Sequence, residues 1–141
     1  IMEYHPGPRP GASWVIIPEE KIVFVGDVVL DNTPPFLDQA DIPQWVEALE
    51  LLRSDPYNSY TIISGRGGPV DKGRIKKQQR TLEKMHRRIE KLARKNAPAD
   101  AVSDLAEVFL NDFTTETNKM EFHLQRLRYG LNHYYQTHYR S

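Results

Sequence analysis

The chain has 141 residues, enough for one domain with a real core, since at this size about 70% of the unfolded surface is buried on folding. Its 39% hydrophobic and 27% charged residues are ordinary for a globular protein, and no apolar run is long enough to span a bilayer. Cysteine is absent, which excludes disulfides and thiolate metal sites. No secretory signal is legible in a sequence that opens on Ile1 in mid-pattern, and a cytoplasmic location is the expectation. The net charge of zero is segregated. Residues 1–60 hold ten acids against Arg9, Lys21 and Arg53, and residues 71–95 hold eleven bases against Asp71, Glu83 and Glu90. Two oppositely charged parts of one fold complement each other in this way. A basic face for an acidic partner is the other reading.

Residues 5–11, HPGPRPG, form a stiff extended loop. Next come two apolar runs, Trp14–Ile17 and Ile22–Val25, on either side of the polar corner Pro18-Glu19-Glu20-Lys21. Runs of this length and β-rich composition around a short polar turn read as a hairpin. Neither run alternates polar with apolar, so both faces of the strands are expected to be covered. The second strand ends in Gly26-Asp27, a carboxylate placed either at a functional rim or at the start of a loop. A long loop with Pro34-Pro35 comes next, pinned by Phe36 and Leu37.

A helix over 43–53 is expected, with Asp41 as cap, Pro43 in the first turn and Gln44 three residues after Asp41. Trp45, Leu49 and Leu52 form its apolar stripe, and Asp55-Pro56 ends it. Tyr60–Ile63 reads as a strand feeding the loop Gly65-Arg66-Gly67-Gly68, where glycine permits a tight turn. Residues 71–96 form a long helix in which Ile75, Leu82 and Ile89 recur at seven, interleaved by Gln78, Met85 and Leu92. Bases fill its other faces, His86 is assigned to solvent, and Asn96 with Pro98 closes it. Two more helices are expected, 100–112 capped by Asp100 and 116–138 with a weak point at Gly130. His123, His133 and His138 have no acid at metal spacing and are read, with Tyr134, Tyr135 and Tyr139, as a surface and an aromatic tail.

The segment HPGPRPGASWVIIPEEKIVFVGD resembles the metallo-β-lactamase fold superfamily, in which a Gly-His-Thr-Pro-Gly-Ser turn precedes a hairpin ending in Gly-Asp. Thr61-Ile62-Ile63-Ser64-Gly65-Arg66-Gly67-Gly68 resembles that family's strand followed by Gly-His-Gly. The resemblance covers roughly residues 1 to 95 and only the second half of such a fold; the block His-x-His-x-Asp-His of the first half has no counterpart here. It implies an α/β chain holding half of an αββα sandwich in residues 1–70, followed by a helical part, 71–141, packed on it as one structural domain. Asp27 stands at the position resembling the metal-bridging carboxylate. Pro8 and Arg66 stand where the family has metal-binding histidines, and His5 is a possible alternative ligand.

Two-metal hydrolysis needs several ligands in fixed geometry, zinc or iron in active relatives, and one carboxylate cannot hold a catalytic ion. Ser64 has no identifiable base and makes a poor nucleophile. Three readings compete. The chain is an inactive C-terminal fragment that binds no metal; or part of a working hydrolase with unusual ligands, His5 among them; or a nucleic-acid-binding module using the basic helix 71–95. Arg66 is expected on the same rim as Asp27, paired with it directly or through water. The partners implied are the missing N-terminal half and, for the face it would cover (Trp14, Ile16, Phe24 and Ile62), a second chain in a homodimer. A membrane partner is not expected.

Overall fold

A computed structural model describes every residue except Gly67, Thr114, Thr115, Glu116 and Ser141. It is mixed α/β. Among the described residues five strands form one sheet in sequence order: β1 (Met2–Tyr4), β2 (Ser13–Ile17), β3 (Ile22–Gly26), β4 (Thr61–Ser64) and β5 (Gly68–Pro69). The helices are α1 (Ile42–Leu52), α2 (Lys72–Arg94), α3 (Ala99–Ser103), α4 (Leu105–Leu110) and α5 (Met120–Tyr139), with 3-10 turns at Tyr57–Ser59 and Thr117–Lys119. Two compact units result: 1–31 with 41–83, and 32–40 with 84–141. Helix α2 gives its residues up to Glu83 to the first and those from Lys84 to the second.

In the first unit the expected hairpin forms, with Val15 opposite Phe24 and Ile17 opposite Ile22. Its corner is closed by Glu20 N donating to Ile17 O and Lys21 N to Pro18 O, both 3.2 Å, with Lys21 in the left-handed region. Strand β3 then pairs parallel with β4 across the connection that contains α1, because strands running the same way need a crossover. The short edge strands β1 and β5 carry too little pattern for the sequence to announce them. Asp41 caps α1 as its spacing predicts, Oδ1 accepting from Gln44 N at 3.0 Å.

Within the chain one face of the hairpin is covered and the other is open. Strands β2 and β3 alternate: Trp14, Ile16, Val23 and Val25 are buried, whereas Val15 and Phe24 remain 45% and 41% exposed. The outward set expected from the sequence was therefore wrong for Trp14, Ile16 and Ile62, all buried, and right for Phe24. An unbroken apolar run carries no mark of which parity faces the helices, and a shift of one residue exchanges the faces. The buried parity joins Ile42, Trp45, Leu49 and Leu52 of α1 and Ile75 and Leu82 of α2 in the first unit's core.

In the second unit the single helix expected over 100–112 is two. Helix α3 ends at Ser103 and α4 starts at Leu105. Asp100 lies in the first turn and is not the cap; Pro98 holds that position with no side-chain bond. The long helix does end as expected, with Asn96 left-handed at φ +55. The break expected at 114–117 falls largely outside the described residues. Tyr134 and Tyr135, read as an aromatic tail, are buried at 2% and 1% with Phe109, Leu127 and Leu131. The Tyr135 hydroxyl donates to Ala97 O at 2.7 Å, and that bond makes its burial tolerable. His86, assigned to solvent, is half-buried and faces Glu90 at 3.5 Å. Gly130 lets the chain at Leu37 approach: an added Cβ would stand 3.0 Å from Leu37 N.

Lys72, at the start of α2, ties down the turn before β4. Its ammonium donates to the carbonyls of Tyr57 (3.1 Å), Asn58 (2.6 Å) and Tyr60 (3.1 Å). Burial lowers its pKa from the ordinary lysine value, while the three carbonyl oxygens favour the charged form. Lys72→Met is expected to lower stability by about 1–3 kcal/mol, the cost of three carbonyls losing a charged donor. Urea unfolding checks this, and an unchanged midpoint would show that the turn holds without it.

Candidate functional site

Sheet register gathers the sequence-marked residues at one edge. Strand β1 ends at Tyr4 opposite the start of β2 at Ser13, and parallel β3 and β4 end together at Gly26 and Ser64. His5, Pro8, Asp27 and Arg66 all lie in segments that leave the sheet there. A register shift between Phe24 and Gly26 puts Gly26 at φ +61, a conformation that glycine adopts without the clash a Cβ brings. This kink exposes the Asp27 side chain.

The two glycine turns abut. Gly65 N donates to Gly26 O at 3.0 Å, and a Cβ on Gly65 would stand 3.3 Å from Gly26 Cα and 3.5 Å from Asp27 Oδ1. Glycine at 65 thus permits the approach that sets Arg66 on the rim next to Asp27. Of the two expected forms of pairing, the direct one does not form. Among the described residues no hydrogen bond or ion pair joins Asp27 to Arg66, and both are exposed, so water screens their attraction.

His5 is committed elsewhere. Its ring stacks on Trp14 with centroids 3.8 Å apart, and Nε2 lies 2.9 Å from Glu3 Oε1. Glu3 also accepts from the Tyr57 hydroxyl at 3.4 Å, whose pKa is raised by burial and then by the Glu3 carboxylate. Pro8 comes after Gly7, which is pressed against α1: an added Cβ would meet Trp45 Cα at 2.6 Å, and Gly7 O accepts from Asp41 N at 2.7 Å. The path of the 5–12 loop is therefore set by the start of α1.

Sequence reasoning missed the groups that hold the segment after Asp27. Gln78, 8% exposed on α2, donates from Nε2 to Val28 O and accepts at Oε1 from Leu30 N, both at 2.8 Å. One amide thus grips two backbone groups like a neighbouring strand. Trp45 Nε1 also donates to Val28 O at 2.8 Å, and the Arg74 guanidinium donates to Leu30 O. The available signal was a glutamine interrupting an otherwise apolar heptad stripe, since a buried amide needs partners.

The rim therefore offers one carboxylate and one guanidinium, both wet. Ser64 is buried, with its hydroxyl donating to Gly68 O at 3.5 Å, and is not presented as a nucleophile. Zinc or iron is what the family resemblance implies here, and the residues present do not fit it. Arg66 is a cation with no lone pair to give, Pro8 has no side-chain donor, and His5 is held by Trp14 and Glu3. Among the described residues no group of three His, Asp or Glu is placed to hold an ion. In the second unit His133 does meet an acid that local spacing could not reveal, with Nδ1 3.0 Å from Asp38 Oδ1. The sequence matches no model of a known protein family and no curated protein. Gln78→Leu is expected to cost roughly 1–3 kcal/mol by leaving the Leu30 N–H without its acceptor. It should also speed hydrogen exchange at the Leu30 amide; unchanged protection there would mean another group holds the segment.

Proposed function

We propose that the chain is the C-terminal half of a metallo-β-lactamase-like hydrolase fold, free of metal and inactive by itself. The observation that carries the reading is the meeting of Gly26-Asp27 and Ser64-Gly65-Arg66 at the ends of a parallel strand pair, joined by the 3.0 Å bond from Gly65 N to Gly26 O. The resemblance implies that the family's Gly-Asp and Gly-His-Gly blocks meet in this way, with Arg66 here at the histidine position. The guanidinium supplies a fixed positive charge beside Asp27 and no Lewis acid. The commitment of His5 to Trp14 and Glu3 speaks against a working site with substitute ligands.

A second observation supports the half-sandwich. Across the sheet Met2, Val15, Phe24, Ile63 and Pro69 stand in one row of register partners on the outward face, none of them charged. In a four-layer sandwich that row meets the sheet of the other half. For the chain alone, a second copy packed sheet to sheet about a two-fold axis covers it.

Three measurements test this reading. Elemental analysis of purified chain dialysed against zinc or iron should find far less than one ion per chain; about one ion, lost in Asp27→Ala, would overturn it. Measured below the concentration at which dimers form, Phe24→Ser should cost the isolated chain about 1 kcal/mol or less, and should cost about 3 kcal/mol in a longer protein carrying the other half, where Phe24 is buried. An equally small effect in both would sink the half-sandwich. Sedimentation at micromolar concentration should show dimers that Phe24→Ser dissociates, and a clean 16.4 kDa monomer would remove the second copy.

A further inference from the structure

Helix α2 separates its charges by face. At 3.6 residues per turn Arg87, Arg88, Lys91, Arg94 and Lys95, the last in the closing turn, fall within an arc of about 120°. All five are exposed, and none has an ion-pair partner among the described residues. Met85 and Ile89 face the core on the opposite side. Of the acids near this stretch, Glu90 lies just outside the arc, accepts from the Tyr139 hydroxyl at 2.8 Å and faces His86, and Asp112 pairs with Lys84 at 3.6 Å one turn before Arg87 and Arg88. Arg140 adds another cation past the end of the stripe, held by Ala97 O at 2.6 Å and by the Tyr135 ring.

We propose that this stripe binds the phosphate backbone of nucleic acid without reading its sequence. Five cations over residues 87–95 span about 12 Å, or one per about 3 Å, a charge density matching one strand of a duplex, which carries one phosphate per about 3.4 Å of helix axis. Three of the five are arginines, whose planar forks bond phosphate oxygens in pairs. The arc holds no aromatic or amide side chain for a base to stack on or bond to, so contact stays with the backbone. An acidic protein fits less well, because carboxylates on a folded surface are rarely so closely spaced in one row without intervening bases.

Titration of the full chain with a labelled 30-base-pair duplex tests the proposal. Five phosphate contacts predict a slope of about −4.5 in log K against log salt, hence a roughly 500-fold loss of affinity between 50 and 200 mM salt. The exposed triple variant Arg87→Gln, Arg88→Gln, Arg94→Gln should weaken binding more than tenfold and reduce the slope to about −2. Arg9→Gln with Lys21→Gln, of exposed bases elsewhere, should change little. Three results overturn the proposal: no binding at 50 mM salt, binding indifferent to the triple variant, or displacement of the duplex by polyglutamate at equal charge, which would assign the stripe to an acidic protein.

Discussion

The parallel pairing of β3 with β4 is the constraint on which the first unit depends. It brings the ends of two strands, distant in sequence, to one edge, and only backbone without side chains passes there, at Gly26 and Gly65. The positive φ of Gly26 and the contact space at Gly65 are separate reasons for glycine, one conformational and one steric. Together they set Asp27 and Arg66 on a shared rim while leaving both side chains in water, where a carboxylate and a guanidinium gain little from pairing.

Buried polar groups hold the segment 28–30, just past Asp27. Gln78 and Trp45 reach the same Val28 carbonyl, one from each helix of the first unit, and Gln78 also takes the Leu30 amide. Irregular backbone can lie against a core only when its polar groups find partners, and the side chains of Gln78, Trp45 and Arg74 supply them here. Rim and clamp are thus parts of one arrangement: the kink at Gly26 releases the chain from the sheet, and the clamp decides where it goes.

The sheet has a finished side and an open one. Its inner parity contributes Trp14, Ile16, Val23, Val25 and Ile62 to a core, while its outer parity presents Val15 and Phe24 to solvent. Apolar residues in register on an open face raise the free energy of the isolated chain and favour whatever covers them. Helix α2 is also two-faced, apolar inward and cationic outward. Lys72, Arg74 and Lys84 have internal partners, whereas Arg87, Arg88, Lys91 and Arg94 are exposed with no ion-pair partner among the described residues.

Local signals in the sequence were sufficient for the hairpin, the Asp41 cap, the long helix and its stop at Asn96, because each rests on neighbours a few residues apart. The glycine-rich loop at 65–68 was legible as a tight turn for the same reason, whereas the left-handed Gly26 was not. Long-range pairing determined the rest. The β1 and β5 edges, the parity of the sheet, the engagement of His5 by Trp14, the meeting of His133 with Asp38 and the burial of Tyr134 and Tyr135 all need partners far along the chain. Periodicity reports that a residue is apolar, not which face its strand turns inward, and a single chain of letters holds no distance between Gly26 and Gly65. Residue order was enough for the hairpin, the Asp41-capped helix and the long helix. Which groups meet was left to the folded chain, because contact is set by packing and register rather than by position in the sequence.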